Sequence, residues 1–173
     1  NAGFERHSGV GSASLDALSV ENSLLFVQQG GMKVRELFDS LEADGYQTRD
    51  VSLLSDHLLG EGIVDWTVQR STAFHVWCVL GDGSAVCMTL NREQNVVAWH
   101  AHRLEHGRIL SVASLRGSRN TPDEEVWFAV ARGAGEDACI TVECMADGNA
   151  CLDACTEAVV KGEMLSGLIH LAG

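Results

Sequence analysis

HVWCVLGDGSAVCMTL (75–90), with NVVAWHAHRL (95–104) close behind it, is the stretch that decides the fold. A run rich in β-branched and aromatic residues leads into Gly-Asp-Gly-Ser, and a second apolar run follows. An Asp-Gly turn between two such runs is the strongest short signal for a β-hairpin. Two other stretches lay over it: SLLFVQQGGMKVRELF (23–38) and EVWFAVARGAGEDACITVECM (125–145). Trp77 and Trp127 hold matching places, fifty positions apart. Each hairpin is preceded by one more strand-like segment, at 13–20, 63–70 and 108–117. The unit is therefore strand, hairpin, fourth strand, repeating every roughly 45 to 50 residues, as propeller blades do.

Alternation supports strands over helices. In NVVAWHAHRL, Val97, Trp99, Ala101 and Arg103 fall on one face and Ala98, His100, His102 and Leu104 on the other. In CITVECM, Ile140, Val142 and Cys144 oppose Thr141, Glu143 and Met145. One short helix is expected near residues 50–59, in DVSLLSDHLLGEG. Asp50 or Ser52 would cap it, Leu53, Leu54, His57 and Leu58 would share a face, and Gly60 would stop it. The expected fold is mainly β: consecutive four-stranded antiparallel meanders, partial propeller blades numbering about 2.5–3, with the first or last incomplete. Asn1-Ala2 read as an expression scar on a fragment of a longer protein. Residues 3–148 form the blade domain, and 149–173 the outer strand of the last blade or the start of another domain.

The chain carries 24 acidic and 12 basic residues, a net charge of −12. A field of that sign repels phosphate backbones, which argues against sequence-specific nucleic-acid binding. Apolar residues make up 46%, and no apolar run is long enough for a membrane-spanning helix. Six cysteines stand at 78, 87, 139, 144, 151 and 155, the last four separated by four, six and three residues. That is not a zinc-ribbon spacing, so they are expected to be reduced small hydrophobes.

Candidate chemistry is sparse. His100 and His102 lie two apart on one strand face, a spacing that can bind metal if His75 or His106 comes close as a third ligand. Packing histidines are the commoner reading of such a pair. Gly30-Gly31 before Met-Lys lacks the remainder of a P-loop and fits a hairpin turn. No G-x-S-x-G elbow accompanies the Ser, His and Asp present, and Asp82-Gly83 and Asp147-Gly148 suit tight turns better than calcium loops. Arg35, alternating with Val34 between Lys33 and Glu36, is expected to pair with a carboxylate of a neighbouring blade, or else to contact a partner. Trp66, Trp77, Trp99 and Trp127 suit the gaps between sheets. A cysteine enzyme using Cys139 or Cys144 is a minor alternative.

Three stretches together resemble one family: FVQQGGMKVRE (26–36) with SLLSDHLLGEGIVD (52–65), LGDGSAVCMTLNREQNVVAWHAH (80–102), and CLDACTEAVVKGEMLSGLIHLAG (151–173). The matching positions are Gly30, Gly31, Lys33, Val34, Arg35, Glu36, His57, Asp82, Gly83, Glu93, Gln94, Val96, Ala98, Trp99 and His102. The closing motif adds Ser166, Gly167, Leu168, His170, Leu171 and Gly173. This set is similar to phage and prophage tail structural proteins of the tail nozzle, or tail tubular protein B, type found in short-tailed phages. The resemblance covers about residues 20–173, and the cysteine-rich region 139–155 departs from it. It implies a propeller-like domain in a virion tail conduit, made in the bacterial cytoplasm, that is not an enzyme and needs no cofactor. Its partners would be other copies of the chain, neighbouring tail proteins, and DNA passing without specific binding, with no membrane anchor and with the fragment alone a monomer or weak dimer. The alternative is a propeller-type ligand- or metal-binding module of a bacterial protein, using His100 and His102.

Overall fold

The computed structural model describes residues 9–42, 44–71, 73–116, 124–133 and 138–145, and the backbone of 157–160. Asn1-Ala2, Pro122, Asp147-Gly148, Cys151, Cys155, Gly167 and His170 lie outside the described residues. The fold is mainly β, in three four-stranded antiparallel sheets, each a simple meander. The first sheet holds β1 (Leu18–Val20), β2 (Ser23–Val27), β3 (Val34–Ser40) and β4 (Gly45–Asp50). The second holds β5 (Ile63–Arg70), β6 (Phe74–Leu80), β7 (Ala85–Asn91) and β8 (Val96–His102). The third holds β9 (Arg108–Arg116), β10 (Glu124–Arg132), β11 (Cys139–Cys144) and β12 (Glu157–Val160).

Neighbouring strands are also consecutive in sequence, and a short turn such as 81–84 between β6 and β7 sets the register of its pair. In the second sheet Trp77 stands opposite Cys87, which stands opposite His100. In the third, Trp127 stands opposite Cys144 and Ala113. The tryptophans thus occupy the same place on the second strand of successive sheets.

The central strands β6 and β7 are buried almost throughout, without the half-wet alternation of a surface sheet. The cause is a sheet packed on each face. Val76, Cys78, Met88 and Leu90 join Val20, Leu25, Val27 and Val34 of the first sheet in one core. Trp77, Val79 and Cys87 join Ile109, Val112, Phe128 and Val130 of the third in another. Each fully buried large side chain there contributes about 1.5–3 kcal/mol of transfer free energy. We call the face of each sheet turned toward the next one its forward face.

The turns carry the stacking from sheet to sheet. Gly31, at φ +80°, presents its carbonyl to the N–H of Ile63 at the start of β5, at 2.8 Å. Gly83, at φ +84°, does the same for Ile109 at the start of β9, at 2.9 Å. A Cβ on Gly83 would lie 2.7 Å from the Arg108 Cβ, so both the left-handed backbone and the close approach demand glycine. The Asp82 carboxylate accepts the N–H and hydroxyl of Ser84 at 2.9 and 2.6 Å, which folds the turn on itself.

Two expectations are corrected. The first sheet is complete, because the polar segment Gly45–Asp50 supplies its fourth strand. The short helix is a 3-10 element over Leu53–Leu58, broken at Ser55, and of the four residues expected to share a face Leu58 alone packs against the core. Leu54 is 93% exposed and His57 is also in solvent, while Leu59, just past the helix, is the buried anchor. Ser52 does not cap the helix with its side chain. Its N–H and hydroxyl both donate to the Asp50 carboxylate, at 2.9 and 2.7 Å, closing a local turn. Among the described residues, no helix is long and apolar enough to cross a membrane.

Candidate functional site

The singled-out residues gather at the two seams between sheets. At the first seam, Glu36 on β3 points from the first sheet toward the second and is completely buried. Arg49, its cross-strand partner on β4, holds one carboxylate oxygen at 2.6 Å. Arg92, from the turn after β7, forms an ion pair with the other oxygen. Arg92 also reaches Glu21 at 3.2 Å and the Ser23 hydroxyl at 3.1 Å, so one guanidinium of the second sheet grips three groups of the first. Its planar fork suits this multiple engagement. A buried carboxylate left with one arginine would pay a desolvation cost that the pair now offsets.

The same seam uses other motif positions. Lys33 lies 3.0 Å from Asp50 and 3.5 Å from Asp56, tying β3 to the 3-10 element. These contacts raise the Lys33 ammonium above its ordinary range, the hydrogen bond to Asp50 leading. The Trp99 indole N–H donates to the Val51 carbonyl at 3.0 Å, and that of Trp66 to the Asp16 carbonyl at 2.9 Å. Arg35 departs from expectation. Among the described residues its Nε bonds Gln28, just after β2, at 2.7 Å, while Arg92 and Arg70 cross to carboxylates of neighbouring sheets, Glu36 and Glu124. Glu93 and Gln94 sit exposed in the turn after β7, where the Gln94 N–H bonds the Asn91 side chain.

The second seam is built from rings. Trp77 meets Phe128 of the third sheet edge-to-face, with centroids 5.7 Å apart. His102 lies 4.8 Å from Trp77, and His100 lies 4.8 Å from His102. His75 belongs to the same face of β6, close enough for the charge of His100 to act on it. Burial holds all three imidazoles below their usual value of 6.5, and the neighbouring His100 adds to the effect on His75 and His102. Burial therefore favours the neutral form of all three rings. The fold does gather the three histidines. Yet among the described residues no three His, Cys, Asp or Glu side chains are arranged to hold a metal ion.

Polar clips flank those rings. The Asp65 carboxylate on β5 accepts the N–H of Val112 on β9 at 2.9 Å; burial pushes its pKa up while that bond and one from Trp66 oppose it. Glu124 of β10 accepts from the Arg70 N–H at 2.7 Å and the Ser114 hydroxyl at 2.9 Å. Gln69 joins both sides, accepting from the Trp77 indole at 3.1 Å and donating to the Glu124 carbonyl at 2.8 Å. Within the third sheet, buried Glu143 receives a bidentate Arg132 at 2.5 and 2.7 Å. That pairing, ahead of the bond from Thr141, holds its carboxyl below the ordinary range. Arg132 also donates to the His106 carbonyl at 2.7 Å, fixing the connection between the sheets.

Cys78 and Cys87 are buried, free thiols raised by desolvation, Cys87 to about 12, which suppresses the reactive thiolate. Cys139 and Cys144 are half-buried. A groove of about 760 Å³ runs past Glu21, Phe38, Tyr46, Arg49 and Arg92, but both its arginines are committed to Glu36. Arg92, Arg132 and Glu124 escaped sequence reading because their partners are non-local. Glu143 left a signal, a lone carboxylate inside an apolar strand. Compared with known proteins, the chain matches no family model and no curated protein sequence.

Proposed function

We propose that this chain is a non-enzymatic structural module of a virion, a set of propeller-type blades from the tail nozzle or hub conduit of a short-tailed phage. The observation that carries the structural role is the wiring of the seams. Glu36, Asp65, Arg92 and Glu124 are spent on joining one sheet to the next. The blade reading draws further support from the way each sheet follows its predecessor. The first strands β5 and β9 lie against one another, and equivalent glycine turns hand the chain across. The motif resemblance supplies the virion setting, and the net charge of −12 suits a wall that DNA passes without being held. Other copies of the chain and neighbouring tail proteins are its partners in this reading.

Mass spectrometry and immunogold labelling of purified phage particles after induction test the assignment. The full-length protein is expected in the tail at a symmetric copy number. A full-length protein that is monomeric in cells and absent from particles would overturn it. The metal-binding reading of His100 and His102 has its own check: stoichiometric metal retained after EDTA dialysis would revive it.

A further inference from the structure

Leu25, Trp77 and Trp127 occupy equivalent central places on the forward faces of the three sheets, as the strand registers set them. Leu25 and Trp77 are buried because the next sheet stands in front of them. Trp127 has no further described sheet before it. Around it Ser111, Ala113, Leu115, Ala129 and Val142 line a cavity of about 300 Å³, and Leu115 is 53% exposed. The third sheet thus ends in a face of the same kind as the two that are covered.

The opposite end of the stack supplies what such a face receives. Each covered forward face meets the reverse side of the following sheet, through an apolar row on its second strand: Val76 and Cys78 in one case, Val126 and Phe128 in the other. The matching row on β2 is Leu24 and Phe26, which alternation turns away from the first core. Leu37 stands opposite Leu24 on the same side. Leu24 is 42% exposed, and no described sheet lies behind it.

We propose that the Trp127 face of one copy docks on the Leu24–Phe26 face of a second copy, continuing the stack head to tail. The occupant follows from the molecule itself, because the proposed contact repeats an interface the chain already makes twice. Two different patches are joined, so the association is heterologous and closes into a ring where the rotation allows. This sharpens the self-association suggested above but rests only on the stacking geometry. Its failure would leave the virion assignment to be judged by particle composition.

The test is analytical ultracentrifugation of the 173-residue chain over a wide concentration range, with circular dichroism confirming that each variant folds. Wild type is expected to self-associate in a concentration-dependent way. Trp127→Arg and Leu24→Arg should each weaken association at least about tenfold, the effect of some 1.4 kcal/mol lost per contact. Leu115→Arg, at an already exposed position, serves if Trp127→Arg unfolds, and Leu54→Arg on the 3-10 element should change nothing. An equimolar mixture of the two face variants should regain a dimer, since one intact pair of faces survives. A monomer at every concentration overturns the proposal, as would happen if some other part of a longer polypeptide covers Trp127. Loss with Trp127→Arg but none with Leu24→Arg also overturns it, since that pattern marks a symmetric Trp127-to-Trp127 contact.

Discussion

At the seam between the first and second sheets the deepest polar group is Glu36, held by Arg49 from its own sheet and Arg92 from the next. At the seam between the second and third sheets the corresponding depth is filled by Trp77, Phe128 and histidine rings, with polar clips moved to the flanks. The ionic closure fixes orientation, because the buried carboxylate is tolerated only where both arginines reach it. The ring closure supplies area and tolerates small shifts, because edge-to-face contacts have broad geometry. One fold therefore joins like sheets by unlike means.

The comparison breaks most visibly at the ring seam. Phe128→Ala is expected to cost about 3–5 kcal/mol in urea unfolding, the usual loss for deleting a buried aromatic ring. A loss below about 1 kcal/mol would mean that the third sheet is not packed on the second.

Removing the crossing guanidinium comes next. Arg92→Met should cost about 2–3 kcal/mol, less than fully orphaning a buried charge, since Arg49 remains. Its diagnostic is hydrogen exchange. Amides of β2, β3 and β7 should lose protection together, whereas Arg132→Met should expose the third sheet first, because Arg132 serves Glu143 within that sheet. Identical exchange patterns for the two variants would refute the distinction between an arginine that joins two sheets and one that serves its own.

The ring seam and the third sheet's own ion pair should also differ in their response to acid. The three histidines have native pKa values below 6.5, so on acidification the unfolded chain takes up protons before the native one does. Their contribution is full above about pH 6.5 and is lost as pH falls from there toward the lower native values. Glu143 acts later. Its stabilisation is present above its ordinary 4.5 and disappears as pH falls through its depressed native value. His102→Leu should therefore flatten the dependence of the urea midpoint on pH just below about 6.5, and leave the steeper acid limb in place. An unchanged slope would show that the ring seam does not titrate.

The smallest effect is expected at Trp127, before which no described sheet stands. Trp127→Ala, measured in dilute solution, should cost about 1 kcal/mol or less, against several for Trp77→Ala at the equivalent covered place. Equal losses would mean that something already covers Trp127 in the isolated chain.

By itself the sequence determined the local pattern: where strands run, which residues share a face, and where glycine must turn the chain. The β5 segment 63–70, the Asp82-Gly83 turn and the opposed faces of CITVECM were legible because period-two alternation and left-handed turn chemistry are properties of neighbouring residues. Gly45–Asp50 was not legible, because an outer strand with one wet face carries little apolar signal. The 3-10 element misled because Leu53 and Leu54 look like an apolar stripe, yet the core takes Leu58 and Leu59 instead. Tertiary structure alone decided which arginine meets Glu36, which rings surround Trp77, and that no described sheet stands before Trp127 as one does before Trp77. Those contacts join residues dozens of positions apart. The stacking of whole sheets brings them together, and no local propensity encodes that placement.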